Sequence, residues 1–215
     1  MRNTMKHLIV FAFALLLAPS LIAQNRPAPP AKVQVVFTEK DREFALKYLG
    51  ETKDDYVKQL TGISDAQLNF RAAEGRWTIA EIAEHITVTE EALFGLITGS
   101  IMKSAPPKCD DVFRTGDPAV ILSVTNRSRK AQAPEQVQPN GRWKTVPDLM
   151  SSFDKTRNRT IDFMKNNKAD LRGTFMANLF GTLDSYQWFL FATAHSERHL
   201  AQLKEVKADA KYPTK

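Results

Sequence analysis

Residues 78–99, TIAEIAEHITVTEEALFGLITG, decide the fold class. Thr78 and Glu81 stand at the spacing of a capping box. The threonine hydroxyl accepts from the backbone N–H three residues on, and the glutamate reaches back to the cap. Behind the cap, Ile82, Ile86, Leu93, Leu96 and Ile97 recur at helical spacing until Gly99. A start signal, an apolar stripe and a stop therefore sit in one segment.

Working outward, three further segments carry the same pattern. Upstream, a helix is expected from near Thr38 to Leu60, with Phe44, Leu46, Leu49, Tyr56, Val57 and Leu60 apolar and Thr61-Gly62 ending it. Gly50 weakens its middle. Ser64 opens a short turn of helix with Gln67 at capping-box spacing. Downstream, Thr145 opens another helix, with Pro147 and Asp148 in the first turn, where proline costs little and a carboxylate suits the helix dipole. Leu149, Phe153, Ile161 and Met164 mark its inner side. The last helix begins near Thr182 or Asp184 and runs to about Val206, lined by Trp188, Phe189, Ala192, Leu200 and Leu203.

Alternating apolar and polar runs are scarce, so the expected fold is all-α, a four-helix bundle. Ser100 to Lys144 is a long connection that holds five of the eleven prolines and one short helix after Asp117. A connection of that length packs over the bundle or shapes a pocket mouth. It forms a long crossover between helices 2 and 3 and lets them run parallel.

The 215 residues and 43% hydrophobic content suit one domain, expected over residues 38–207. Arg2 and Lys6, the apolar run Leu8 to Ala18, and the small residues Ala14, Ala18, Ser20 and Ala23 have the layout of a secretory signal peptide over 1–23. The apolar run is short for a bilayer core of roughly 30 Å, so export with cleavage is expected over a membrane anchor. Residues 24–37 read as a proline-rich disordered spacer and 208–215 as a flexible tail. Cys109 is the single cysteine, so no internal disulfide forms, and it reads as an incidental loop thiol.

The net charge of +6 falls to +4 once Arg2 and Lys6 leave, and only Arg127, Arg129 and Lys130 cluster. A nucleic-acid surface needs a denser basic stripe with aromatics between, so no nucleic-acid partner is expected. The sequence holds no glycine-rich phosphate loop, no serine nucleophile elbow and no CxxC pair.

Four histidines exist, and His7 lies in the signal segment. His195 and His199 are four apart on a predicted helix. Four residues turn about 400°, so both imidazoles share one face. His85 follows Ile82 by three and joins the inner stripe of its helix. An unpaired imidazole is costly in a core, whereas three neutral imidazoles suit a divalent ion and leave a position open. Zinc or nickel comes first, then iron or copper. The alternatives are a chance pair of histidines and a core His85 satisfied by a neighbouring hydroxyl or carbonyl.

Other residues have two readings each. Glu81 and Glu84 serve as partners or general bases to the site, or as a cap and a solvated charge. Arg198 receives an anionic substrate or makes a surface ion pair. Trp77 and Trp188 read as core packing.

The stretch Gly75-Arg76-Trp77-Thr78-Ile79-Ala80-Glu81-Ile82-Ala83-Glu84-His85-Ile86 resembles the first signature of the DinB-like superfamily. There a Gly-x-Trp-Ser/Thr element leads into a metal-binding histidine. Ala194-His195-Ser196-Glu197-Arg198-His199-Leu200 resembles the family's second signature, and Val137-Gln138-Pro139 through Leu149 to Arg157 resembles the approach to its third helix. The resemblance spans roughly Glu39 to Lys204. It implies a four-helix bundle with a divalent ion held by His85, His195 and His199 at one end. It also implies metal-assisted thiol transfer or hydrolysis of a small-molecule substrate, because characterised relatives include thiol-dependent transferases and isomerases. Their cofactor thiols are chiefly cytoplasmic, which sits against export. A non-catalytic metal or small-ligand binding module is the second reading, and a homodimer through helix faces stays open.

Overall fold

The computed structural model describes residues 36–104, 116–128, 132–178 and 181–214. The expected signal peptide, nearly all of the spacer, Cys109, Arg129 and Lys130 lie outside the described residues. The elements are α1 (Glu39–Leu60), α2 (Asp65–Leu68), α3 (Ile79–Gly99), α4 (Asp117–Thr125), α5 (Val146–Asn166), β1 (Phe175–Asn178), β2 (Gly181–Asp184) and α6 (Ser185–Lys207). Each of the four long helices opens on a side chain that accepts from the amide three residues on: Thr38, Thr78, Thr145 and Asp184. Such a cap stabilises a helix by about 1 kcal/mol.

Inter-helix contacts fix the directions. Arg42, early in α1, donates to the carbonyl of Asn167 at the end of α5, whereas Tyr56, late in α1, stacks on Phe153 with ring centres 3.8 Å apart. These two run antiparallel. Tyr186 donates to the Asp41 carbonyl at 2.8 Å and Lys204 pairs with Asp55 at 2.7 Å, so α1 and α6 run parallel. Glu90 pairs with Arg157 and Phe94 meets Phe163, which makes α3 parallel to α5. His85 faces His195 and Phe94 faces Phe189, which makes α3 antiparallel to α6. The result is an up–down–down–up bundle. Two parallel neighbours in sequence need a crossover along the whole bundle. That crossover carries α4 against α6 and a 3-10 turn at Glu135–Val137 against α3.

The interior is two apolar clusters with a polar layer between them. One gathers Tyr56, Ile82, Ile86, Leu149, Phe153 and Leu203; the other gathers Leu49, Ile97, Met164, Leu183 and Phe189. Fully burying one such side chain contributes about 1.5–3 kcal/mol. Between the clusters Arg157, 0% exposed, donates to Glu90 at 2.7 Å, Thr52 at 2.5 Å, Ser196 at 3.1 Å and the Leu49 carbonyl at 2.7 Å. All four long helices meet on this one guanidinium.

The structure departs from the sequence reading in places. Phe175–Asn178 and Gly181–Asp184 form an antiparallel hairpin, with Phe175 opposite Asp184 and Asn178 opposite Gly181. Phe44 is 47% exposed rather than inward, because Ala45, Leu49, Thr52, Tyr56 and Leu60 set the buried stripe and Phe44 lies beside it. Gly50 leaves α1 continuous. Apart from these departures, Phe37 packs on Tyr186, and Tyr212 packs on Phe70 while Gln67 donates to the Pro213 carbonyl at 2.9 Å. Among the described residues no helix is long and apolar enough to cross a membrane.

Candidate metal centre

The antiparallel pairing of α3 and α6 brings the expected ligands together. His85 stands near the start of α3, and His195 and His199 stand in successive turns of α6. Ring centres are 5.0 Å apart for His85 and His195, 4.5 Å for His85 and His199, and 4.4 Å for His195 and His199. One nitrogen from each ring lies within 4.8 Å of the others. His85 is 2% exposed, whereas His195 and His199 are half-buried.

Two rings have their orientation set by protein acceptors. His85 Nδ1 lies 2.7 Å from the Val137 carbonyl, which can only accept, so Nδ1 carries the proton and Nε2 is left for a ligand bond. Thr89 Oγ1 stands 3.3 Å from the same Nδ1. His199 Nδ1 lies 2.8 Å from Gln202 Oε1, again leaving Nε2. This is the arrangement in which an outer partner fixes the tautomer of a metal-bound histidine.

Burial lowers the pKa of all three rings. For His85 it outweighs the Val137 hydrogen bond. His195 falls well below the ordinary 6.5 through burial first, and then because a proton there would be repelled by charge on His199, His85 and Arg198. His199 falls to about 3 through burial, His85, Arg198 and Arg127, against the Gln202 hydrogen bond. Three imidazoles kept neutral at pH 7 are in the state that binds a metal.

The donor set fits a divalent ion. Two nitrogens that share an ion at about 2.1 Å each stand no more than about 4.2 Å apart, so separations within 4.8 Å close by small side-chain rotations. The three-histidine cluster can therefore hold a metal ion.

The remaining candidates fall in different places. Trp77 packs beside His85 at 4.7 Å and His199 at 6.2 Å, so it walls the site as well as joining the apolar cluster. Trp188 is buried in the other cluster. Glu81 closes the Thr78 cap and pairs with Arg71 at 2.8 Å. Burial would raise its carboxyl, but Arg71 and the Thr78 amide outweigh it and hold it below the ordinary value. Glu84 is no solvated charge: it is 2% exposed and accepts from the amides of Asn140, Gly141 and Arg142. Its position inside α3, against the returning crossover, takes it out of water. Arg198 donates to the Val124 and Asn126 carbonyls, beside Arg127, which pairs with Glu205 at 2.7 Å.

A family model described as the DinB superfamily matches residues 48–203. This chain belongs to the DinB superfamily. The match takes in all of α3 and α6 as far as Leu203, and so all three clustered histidines of the DinB bundle. An uncharacterised protein of Bacillus subtilis (strain 168), YuaE, is 23% identical over 163 residues, covering 75% of this chain and 96% of its own length. No solved structure matches.

Sequence reasoning allowed a hydroxyl or carbonyl partner for His85, as the structure has it, but named neither that partner nor the one that orients His199. Gln202 follows His199 by three, a helical spacing that could have shown it. The Val137 carbonyl carries no side-chain signal and arrives only through the crossover.

Proposed function

We propose that this DinB-superfamily protein is exported and holds a divalent ion on His85, His195 and His199, with an open position that activates a water or small thiol for transfer or hydrolysis. Zinc or nickel is the first choice of ion, and iron or copper the next. The carrying observation is that the three rings converge from two helices, His85 buried and His195 and His199 half-buried. A divalent ion in such a site supplies Lewis acidity that lowers the pKa of a bound water or thiol.

The chain's own residues do the rest. The Val137 carbonyl and Gln202 hold two rings in the tautomer that presents Nε2. Trp77 closes one side against water. The half-buried His195 and His199 mark where a small-molecule substrate would enter. Arg2, Lys6 and the run Leu8 to Ala18 support export. Export favours water over a cytoplasmic thiol.

A binding module without catalysis is the second reading, and one observation favours it. The carboxylates nearest His85 in sequence are committed elsewhere, Glu81 to its cap and Arg71, Glu84 to three amides. Neither is left to serve as a general base. Cobalt substitution separates the two readings. Visible absorption of the cobalt-loaded protein that shifts on adding a small thiol, or with pH as a bound water ionises, supports the activating site. A spectrum that responds to neither supports a closed, non-catalytic site.

A further inference from the structure

Glu84 and His85 are neighbours on α3, pointing about 100° apart around the helix. Both hold the same piece of the crossover. The Glu84 carboxylate accepts from Asn140 N at 2.9 Å and Arg142 N at 3.2 Å on Oε1, and from Gly141 N at 3.0 Å on Oε2. Three successive amides converge on one acid only where the backbone curls, and Gly141 supplies that curl at φ 77. Just upstream, the carbonyl of Val137 accepts a hydrogen bond from His85 Nδ1–H at 2.7 Å.

Glu84 is 2% exposed, and its partners are amides rather than a cation. Burying a carboxylate is costly unless its hydrogen bonds are complete, so segment 140–142 and Glu84 hold each other strongly. Pro139 stiffens the stretch between this grip and Val137. A shift of the segment would carry the Val137 carbonyl off the imidazole and leave Nδ1 with Thr89 Oγ1, a hydroxyl that can donate as well as accept, so the tautomer would no longer be fixed.

We infer that Glu84 is a positioning residue for His85, acting through the 137–142 segment that it clamps. This rests on the reading of His85 as a ligand only for its metal readout; the orientation of the ring is a property of the metal-free protein. An ordinary loop anchor would support stability alone. A positioning residue also sets which ring nitrogen of His85 carries the proton.

The test uses the full chain as wild type, Glu84→Ala, Glu84→Gln and Gly141→Ala. Zinc affinity is read by chelator competition, and the His85 ring nitrogens by NMR of the metal-free protein. Outer partners of ligating histidines change metal affinity by about 10–100-fold, and Glu84→Ala is expected at the low end, about tenfold weaker. Its His85 ring should lose the pure Nδ1–H form. Glu84→Gln keeps an oxygen for Asn140 and Arg142 but sets its NH2 against the Gly141 N–H, so it should restore both readouts only in part, between Glu84→Ala and the wild type. Gly141→Ala leaves the carboxylate intact, strains the curl, and should move both in the direction of Glu84→Ala.

A folded Glu84→Ala protein with wild-type zinc affinity and an unchanged His85 tautomer overturns the inference. So does weaker zinc binding with the tautomer unchanged. If Glu84→Ala does not fold, the Gly141→Ala ring spectrum decides in the same way. If the wild type binds neither zinc nor nickel, iron or copper, the metal reading fails separately, and the ring spectra of the metal-free variants still decide whether Glu84 positions His85.

Discussion

Gln202 holds the Nδ1 proton of His199 from one turn further along α6, and little else in the structure asks for an amide there. Gln202→Ala should therefore leave folding intact and weaken metal binding about tenfold, measured by competition with a chromophoric chelator. Unchanged affinity would mean that the ring is oriented by packing alone. The three clustered histidines were legible in the sequence because their evidence is local: His195 and His199 share a helical face, and His85 shares the stripe of Ile82 and Ile86. Trp77 was legible only as an apolar side chain, since its contact with two imidazoles depends on how α3 meets α6. Glu84 was misread in its burial because its partners are backbone amides 56 to 58 residues away, which no residue type announces.

The helices themselves were readable from their ends. Thr38, Thr78, Thr145 and Asp184 are all caps, and each carries its signal in its own side chain. The hairpin of β1 and β2 was not, because two four-residue strands give too short a run for a period-two pattern to stand out. Glu90 on α3 and Arg157 on α5 look like solvated charges on a helical pattern, yet they are 3% and 0% exposed and pair at 2.7 Å. Only the parallel packing of these helices turns both inward. Removing one partner leaves the other buried and uncompensated, which costs about 3–5 kcal/mol. Glu90→Ala and Arg157→Ala should each lose that much in urea unfolding, and replacing both with apolar residues of similar size should recover most of it. Losses near zero for the single variants would show that water reaches this layer.

The long crossover was the sequence feature that set the topology of the whole molecule, since its length alone allowed α3 and α5 to run parallel. What it does on the way was hidden: it delivers the Val137 carbonyl to His85 and the 140–142 amides to Glu84. Gathering three imidazoles at one place also gives the metal-free bundle a pH dependence. All three titrate below the ordinary 6.5 when folded, His199 near 3. Just below pH 6.5 the unfolded chain then binds more protons than the folded one, so stability falls as pH drops toward the folded values. Between pH 7 and pH 5 the metal-free wild type should lose more stability than a His85→Gln, His195→Gln, His199→Gln triple variant, compared by urea unfolding at both pH values. Equal losses would contradict the neutral state assigned to the rings. The most direct test of the metal centre is elemental analysis of protein purified without a histidine tag, alongside His85→Ala, His195→Ala and His199→Ala. The prediction is about one divalent ion per chain in the wild type and a large loss in each variant. A wild type without metal, or a His85→Ala protein that keeps its full complement, would contradict it.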